Sequence, residues 1–285
     1  MSTVKKVILN SGIEVYLRGE INNPGKIKIF VHGFGSNETG GSLVSKMYPG
    51  GFSPELANQD EANLVVSFNA CNVTHELTAF GDREVQRFPS LSEYAEMLNS
   101  VISEVSQSYS DLDIHLIGHS LGTLAILKLM SELESDIPAI SRISLLALPV
   151  DASPERMRRT YESGGRMIKV GDEYHILRTD GSVTIVTEDF WKDQEKINVL
   201  DSAEILTKRF AENLEVIVAS KDTVLFPEQG FVEERYSELY SPLLDVLDYN
   251  GAHFGVINMN PETENGHDFI DEVDSVAVLS HLSNK

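Results

Sequence analysis

A single cysteine, Cys71, stands among the 285 residues. No disulfide can therefore form within the chain, which suits a reducing compartment. Basic side chains are scarce as well: 23 lysines and arginines face 44 acids, for a formal charge of −21. A surface of that sign repels phosphate and anionic lipid, which argues against a nucleic-acid or membrane partner. No apolar run approaches the roughly eighteen residues of a membrane span. Met1 to Asn10 carries two lysines but lacks the apolar core of a secretory signal. No histidine, cysteine or acid spacing completes a metal site, and pairing His32 with His119 leaves such a site without further ligands. The expectation is a cytoplasmic protein without a metal site.

What the chain does have is enough apolar material, 41% of its residues, to bury a real core. Short Val/Ile/Leu-rich runs alternate with helical patterns over the first 150 residues and again after about 213. That alternation predicts an α/β architecture, a mostly parallel central sheet with helices on both faces. Val4 to Leu9 and Ile13 to Arg18 flank Asn10-Ser11-Gly12 and read as an opening hairpin. Strands are expected at Lys26 to Val31, Leu64 to Phe68, Ile114 to Ile117, Ile143 to Leu148, Leu214 to Ala219 and Leu243 to Leu247. Helices are expected at Ser92 to Val105, Leu121 to Leu133, Pro227 to Leu239 and Asp268 to Leu282.

The pattern breaks between Asp151 and Glu212. A helix at Ser153 to Ser163 precedes three short runs, Met167 to Val170, Tyr174 to Arg178 and Val183 to Val186, which read as a small antiparallel meander. This predicts a core domain of residues 1–150 and 213–285 with a small α+β cap, residues 151–212, inserted after the sixth strand of the sheet. The acidity is concentrated beyond the cap: residues 216–285 hold thirteen acids and three basic side chains.

The strongest chemical signal is Gly118-His119-Ser120-Leu121-Gly122, a G-x-S-x-G directly after an expected strand and directly before an expected helix. A serine in such a turn sits in a strained backbone with its hydroxyl exposed, and glycines two residues to either side avoid steric clash. A serine hydroxyl needs a base, and the base needs an orienting carboxylate. Asp222 follows the strand ending at Ala219, and His253 follows the run Leu243 to Leu247, so all three groups are expected at the carboxyl edge of the sheet. Asp245 and Asp248 compete with Asp222 for the acid role but lie on or next to an expected strand. An anionic tetrahedral intermediate needs two preset N–H donors. Leu121, after the serine, supplies one, and Phe34 in His32-Gly33-Phe34-Gly35-Ser36 is the candidate for the other. His119, Tyr174 and Trp191, with Phe190 and Met167, are candidates for the substrate pocket, although aromatic residues in a cap more often form its own small core.

The His-Gly turn, the elbow around Ser120, the acid in Asp222-Thr223-Val224-Leu225-Phe226-Pro227 and the late Gly251-Ala252-His253-Phe254 together resemble the α/β-hydrolase superfamily. The likeness covers nearly the whole chain outside the cap. Among its branches the sequence looks most like cap-bearing serine esterases of the feruloyl or cinnamoyl esterase and monoacylglycerol-lipase type. The resemblance implies a cofactor-free carboxylic ester hydrolase acting on small or medium neutral esters through an acyl-enzyme. Amidase, aminopeptidase, thioesterase or acyltransferase chemistry would use the same groups, and a binding protein could use the same fold. After Phe68 the chain departs from that pattern, with Asn69-Ala70-Cys71-Asn72-Val73-Thr74-His75 in place of a glycine-rich turn.

Overall fold

The computed structural model describes residues 4–40, 51–59, 62–133, 140–150, 153–178, 180–219, 241–247, 252–257 and 282. The chain opens with the expected hairpin, β1 (Lys5–Ile8) and β2 (Glu14–Gly19), then continues through β3 (Lys26–Val31), α1 (Phe52–Asn58) and β4 (Asn63–Phe68). A second hairpin, β5 (Val73–Thr78) and β6 (Gly81–Arg87), precedes α2 (Leu91–Ser108), β7 (Ile114–His119), α3 (Leu121–Glu132) and β8 (Ile140–Leu146). Next come α4 (Pro154–Glu162), β9 (Met167–Val170), β10 (Glu173–Leu177), β11 (Val183–Thr187), α5 (Glu188–Glu195) and α6 (Val199–Phe210). β12 (Leu214–Ala219), α7 (residues 241–247) and β13 (His253–Ile257) follow.

Among the described residues, eight strands form the central sheet in the order β1-β2-β4-β3-β7-β8-β12-β13. β1, β2 and β4 pair antiparallel, and every neighbour from β4 onward is parallel. Side chains alternate across the two faces, as the period of a strand requires. Ile27, Ile29, Leu64, Val66, Leu116, Leu145 and Val216 point into the larger core with α2, α3 and α6. Phe30, Val65, Ile117, Leu146 and Ile217 point the other way, onto Phe52 and Leu56 of α1 and onto Leu282. The sheet is therefore covered on both sides, which is why its parallel strands read as near-continuous apolar runs.

The second face also buries a polar row. Lys28 of β3 donates to the Leu282 carbonyl at 2.7 Å. His115 of β7 meets the Ser144 hydroxyl of β8 at 2.6 Å, that hydroxyl donates to Glu215 of β12, and Arg142 donates to the same carboxylate at 3.2 Å. Hydrogen bonding makes the buried carboxylate tolerable.

α2 starts at a capping box: the Ser90 hydroxyl accepts from the Glu93 N–H, and the Glu93 carboxylate accepts from the Ser90 N–H. One face of this helix buries Leu91, Tyr94, Ala95, Leu98, Val101, Ile102 and Val105, the stripe legible in the sequence.

The expected meander is present, but it is part of a larger second sheet, ordered β5-β6-β11-β10-β9. β6 adds to β11 in parallel, Val85 opposite Val183. The hairpin β5–β6 comes from the segment after Phe68, outside the expected insertion, and its pattern escaped the sequence reading because ion pairs hold it in place of an apolar stripe. Arg87 of β6 bonds Glu76 of β5 at 2.7 Å and Glu173 of β10 at 2.5 Å. The Arg87 hydrogen bonds hold the Glu76 carboxyl down to about 2.

The strand expected at Leu243 to Leu247 is corrected by the structure. Residues 241–247 form α7, with Leu243 and Leu247 buried one turn apart and Asp245 exposed. Leucines four apart fit a helical face as well as a five-residue strand, so periodicity cannot decide between them. The last strand among the described residues is β13, which His253 opens. The expected helices at Pro227 to Leu239 and Asp268 to Leu282 lie outside the described residues, apart from Leu282 itself, which is helical.

Candidate active site

Ser120 stands between β7 and α3, where its φ of +50° is left-handed and its ψ is −119°. A side chain there costs about 1–3 kcal/mol, which the surrounding contacts must hold. The Ser120 N–H donates to the Leu146 carbonyl at 2.9 Å, and its own carbonyl accepts from the Thr123 N–H at 2.9 Å and from the Thr123 hydroxyl. Space demands the flanking glycines. A Cβ on Gly122 would lie 2.2 Å from the Val31 carbonyl oxygen, and one on Gly118 would lie 2.8 Å from Ile126 Cδ1. The turn therefore has the strained geometry its motif implies.

The turn after β3 lies directly against this serine. A Cβ on Gly33 would stand 3.0 Å from Ser120 Cβ and 3.1 Å from His119 Nδ1. Gly33, the residue before Phe34, thus abuts the serine, and Leu121 follows it in the chain. Leu121 occupies the first turn of α3, where an N–H has no intrahelical partner. The same helix end directs a partial positive charge at the serine.

His32 is no metal ligand: both of its ring nitrogens serve the turn. Nε2 accepts from the Ala70 N–H at 3.0 Å, so the proton sits on Nδ1 and is donated to the Gly33 carbonyl at 2.8 Å. The Tyr94 hydroxyl donates to the His32 carbonyl at 2.9 Å. The ring packs against Tyr94 and Phe88, with centroids 5.7 and 6.1 Å away. The segment that departs from the expected pattern after Phe68 thus braces the turn through Ala70. Burial in this setting pushes His32 down to about 4, the Gly33 hydrogen bond opposing the shift only in part.

A pH dependence of stability follows. The unfolded imidazole titrates near 6.5, above its folded value. This contribution is complete above pH 6.5 and is lost as pH falls toward 4, because the unfolded chain takes up the proton first. Between pH 6.5 and 5 the loss is about 2 kcal/mol. Asp193, which burial raises but its hydrogen bonds from Ser92 and Lys196 bring down to about 2, acts only at lower pH, as does Glu76. Denaturant unfolding at pH 6.5 and 5 should show this slope in the wild type and a much smaller one in His32→Gln, whose amide does not titrate.

The pocket candidates divide. His119 ends β7, buried beside Gly33 and Ser120. Tyr174 and Trp191 are buried, each enclosed by the elements it joins. Trp191 is wholly buried, edge-on to Phe190 at 5.0 Å and to Tyr174 at 5.8 Å, with the Arg158 guanidinium 4.9 Å above its ring. The Tyr174 hydroxyl donates to Glu188 at 2.5 Å and accepts from Lys169 at 3.0 Å. Phe190 is likewise buried but reaches the site indirectly, 5.5 Å from the Phe34 ring. Met167 is half-buried against the larger core.

Of the proposed partners of the serine, Asp222 lies outside the described residues. His253 is described at its backbone, and it does not follow a strand as expected. It opens β13, paired with Glu215 of β12, which in turn pairs with Ser144 of β8, itself opposite Ile117 of β7. His253 is therefore level with Ile117, roughly 14 Å across three strands and roughly 10 Å below the Ser120 end of β7. The structure sets Gly33 against Ser120 and His119, with Leu121 following the serine at the start of α3. The next histidine, His267, comes after the end of β13 in sequence and lies outside the described residues.

Sequence reading missed the aromatic and cationic surroundings of Phe34. Phe88 lies 5.3 Å from its ring, Tyr161 lies 6.4 Å away, and the Arg178 guanidinium is 5.4 Å above it. No local motif marks these residues, since they come from three separate segments. Among the described residues no group of histidines, cysteines and acids could hold a metal ion, and no helix is long and apolar enough to cross a membrane. Cys71 is half-buried and close-packed, and burial pushes its thiol up to about 12, so it is not a reactive thiolate.

No curated protein matches the sequence. The structure is similar to esterase Pf2001 of Pyrococcus furiosus, at 15% identity and a TM-score of 0.58 over 100% of this chain and 89% of that one. It is similar to Est1E from Butyrivibrio proteoclasticus, at 13% identity and a TM-score of 0.56 over 99% and 96% of the two chains. A highly thermostable carboxyl esterase from Bacillus coagulans is 16% identical with a TM-score of 0.56, over 99% of this chain and 98% of its own. At these identities the likeness establishes the α/β-hydrolase fold. The model of the PGAP1-like alpha/beta domain matches residues 24–170. That span is more than half of the chain and holds both Phe34 and the Ser120 turn, so the protein belongs to the PGAP1-like alpha/beta domain family.

Proposed function

We propose that the protein is a serine hydrolase that cleaves carboxylic esters of small or medium neutral substrates. The observation that carries this reading is the strained Ser120 turn, with Gly33 against the serine and the start of α3 behind it. Ser120 Oγ attacks the ester carbonyl as a histidine takes its proton. The N–H groups of Phe34 and Leu121 bind the developing oxyanion, the alcohol leaves with the proton from the same histidine, and water then releases the acid. No cofactor enters these steps. The second sheet, with α4 and α5, acts as the cap, because its residues cover Phe34.

Asp222 and His253 complete the triad in the reading we carry from the sequence. The Ser, Asp, His order and the late Gly251-Ala252-His253-Phe254 support it. The register of β13 is the specific observation that favours a second reading, with His267 as the base, since that residue follows the strand's carboxyl end in sequence. The fold neighbours are themselves called esterases, which supports an ester over an amide. Matched p-nitrophenyl esters and p-nitroanilides of equal acyl length test that preference. Turnover of the esters at least about a hundredfold faster in kcat/KM supports the esterase reading; faster anilide turnover contradicts it.

A further inference from the structure

We infer that Arg178 is a positioning residue for the oxyanion turn, an inference that rests on the serine-hydrolase reading of Ser120. Arg178 follows directly on β10, at the end of the second sheet, and is half-buried. Its guanidinium reaches across to the turn after β3. Nη2 donates to the Phe34 carbonyl at 3.4 Å, and Nη1 donates to the Tyr161 hydroxyl of α4 at 2.9 Å. The same group lies above the Phe34 ring at 5.4 Å, a cation–π contact.

Gly35 makes room for it. Gly35 has φ +67°, and a Cβ there would stand 2.6 Å from Arg178 Cζ, 2.7 Å from Nε and 2.8 Å from Nη2. The guanidinium thus fills the space in which any other residue at 35 would carry its side chain. The hydrogen bonds of its guanidinium go to this turn and to Tyr161, and its charge also acts on the Asp180 carboxylate two residues on.

The consequence is mechanical. Phe34 supplies an oxyanion donor through the peptide before it, and Arg178 holds the peptide after it. Fixing the ring and the carbonyl on one side fixes the direction of the N–H on the other. On the inner side, His32 holds the Gly33 carbonyl. The turn is therefore held from the central sheet at Gly33 and from the second sheet at Phe34. A planar fork is required for the outer contact, since it must lie flat on a ring and a glycine while donating in two directions, which a lysine ammonium cannot do.

The test compares wild type, Arg178→Ala, Arg178→Lys, Gly35→Ala and the Arg178→Ala/Gly35→Ala double variant on one neutral ester and one ester bearing a carboxylate. Arg178→Ala is expected to lower kcat on both esters by about tenfold to a hundredfold, with KM changed by less than about threefold. Fluorophosphonate labelling of Ser120 should slow by a similar factor. Guanidinium ion should restore part of the loss, and Arg178→Lys should restore little. Gly35→Ala should cost activity in the wild type and cost less on top of Arg178→Ala, where the collision is gone and only the left-handed strain at φ +67° remains. The melting temperature of Arg178→Ala should stay near that of the wild type. Unchanged kcat overturns the inference, and so does a KM effect confined to the charged ester, which would make Arg178 an anion subsite. A fall in activity that tracks a fall in melting temperature without guanidinium rescue overturns it too. A wild type that neither labels nor hydrolyses overturns the serine-hydrolase reading itself; a labelled wild type with normal Arg178→Ala kinetics overturns this inference alone.

Discussion

Ser120→Ala is expected to lower kcat on any ester substrate by about 10⁵ to 10⁶, leaving only what oxyanion binding and proximity supply. The loss should appear without unfolding. Alanine keeps the Cβ and the same left-handed strain, and the backbone bonds from Ser120 to Leu146 and Thr123 involve no atom of the hydroxyl. Ser120→Gly separates chemistry from stability in the other direction. Glycine adopts a φ of +50° without a Cβ penalty, so this variant should be equally inactive yet more stable by about 1 kcal/mol, the relieved strain less the added entropy of the unfolded chain. Steady-state kinetics with denaturant unfolding of the three proteins checks both statements. A Ser120→Ala protein retaining a tenth of wild-type turnover would remove Ser120 from the nucleophile role.

The second large effect concerns the base. His253→Ala and His267→Ala are predicted to behave unlike each other: one should lose about 10⁴-fold or more in kcat, and the other should stay within about tenfold of wild type. If His253 is the base, its motif and its distance behind Asp222 will have carried the assignment. If His267 is the base, the register of β13 against β12 will have carried it, because that register sets His253 beside Glu215 and well below the Ser120 end of β7. The pH profile gives a second readout: kcat/KM should fall with an imidazole-like pKa in whichever single variant retains activity. Near-normal turnover in both variants would exclude a triad base from this part of the chain.

The elements that sequence made legible share one physical property: their burial pattern repeats locally. β3, β4, β7, β8 and β12 lie within two to three residues of their expected positions because sheet strands covered on both faces are apolar throughout. α2 was visible from its stripe, and the Ser120 turn from glycines that have no room for a Cβ. The remainder depends on contacts distant in sequence. The β5–β6 hairpin is mostly polar and charged, with Val73, Leu77 and Val85 its few apolar side chains, and it is held by Arg87 bridging Glu76 and Glu173, ninety-odd residues apart. α7 and a strand are equally compatible with Leu243 and Leu247. Tyr174 and Trp191 carried the expectation of a pocket because aromatic residues in a cap suit both lining and core. Their hydrogen bonds and ring contacts join β10 to α5. His32 illustrates the same limit at the site. Its place after β3 was plain, but its neutral, bridging role needed Ala70, which lies beyond β4.

Reaction of the wild-type protein with a fluorophosphonate, followed by peptide mapping of the adduct, tests the central claim most directly. The account predicts a single stoichiometric adduct on the peptide containing Gly118-His119-Ser120-Leu121-Gly122, formed at a rate that falls as pH drops through the pKa of the base, and absent from Ser120→Ala. An unlabelled protein, or an adduct that persists in Ser120→Ala, would contradict it.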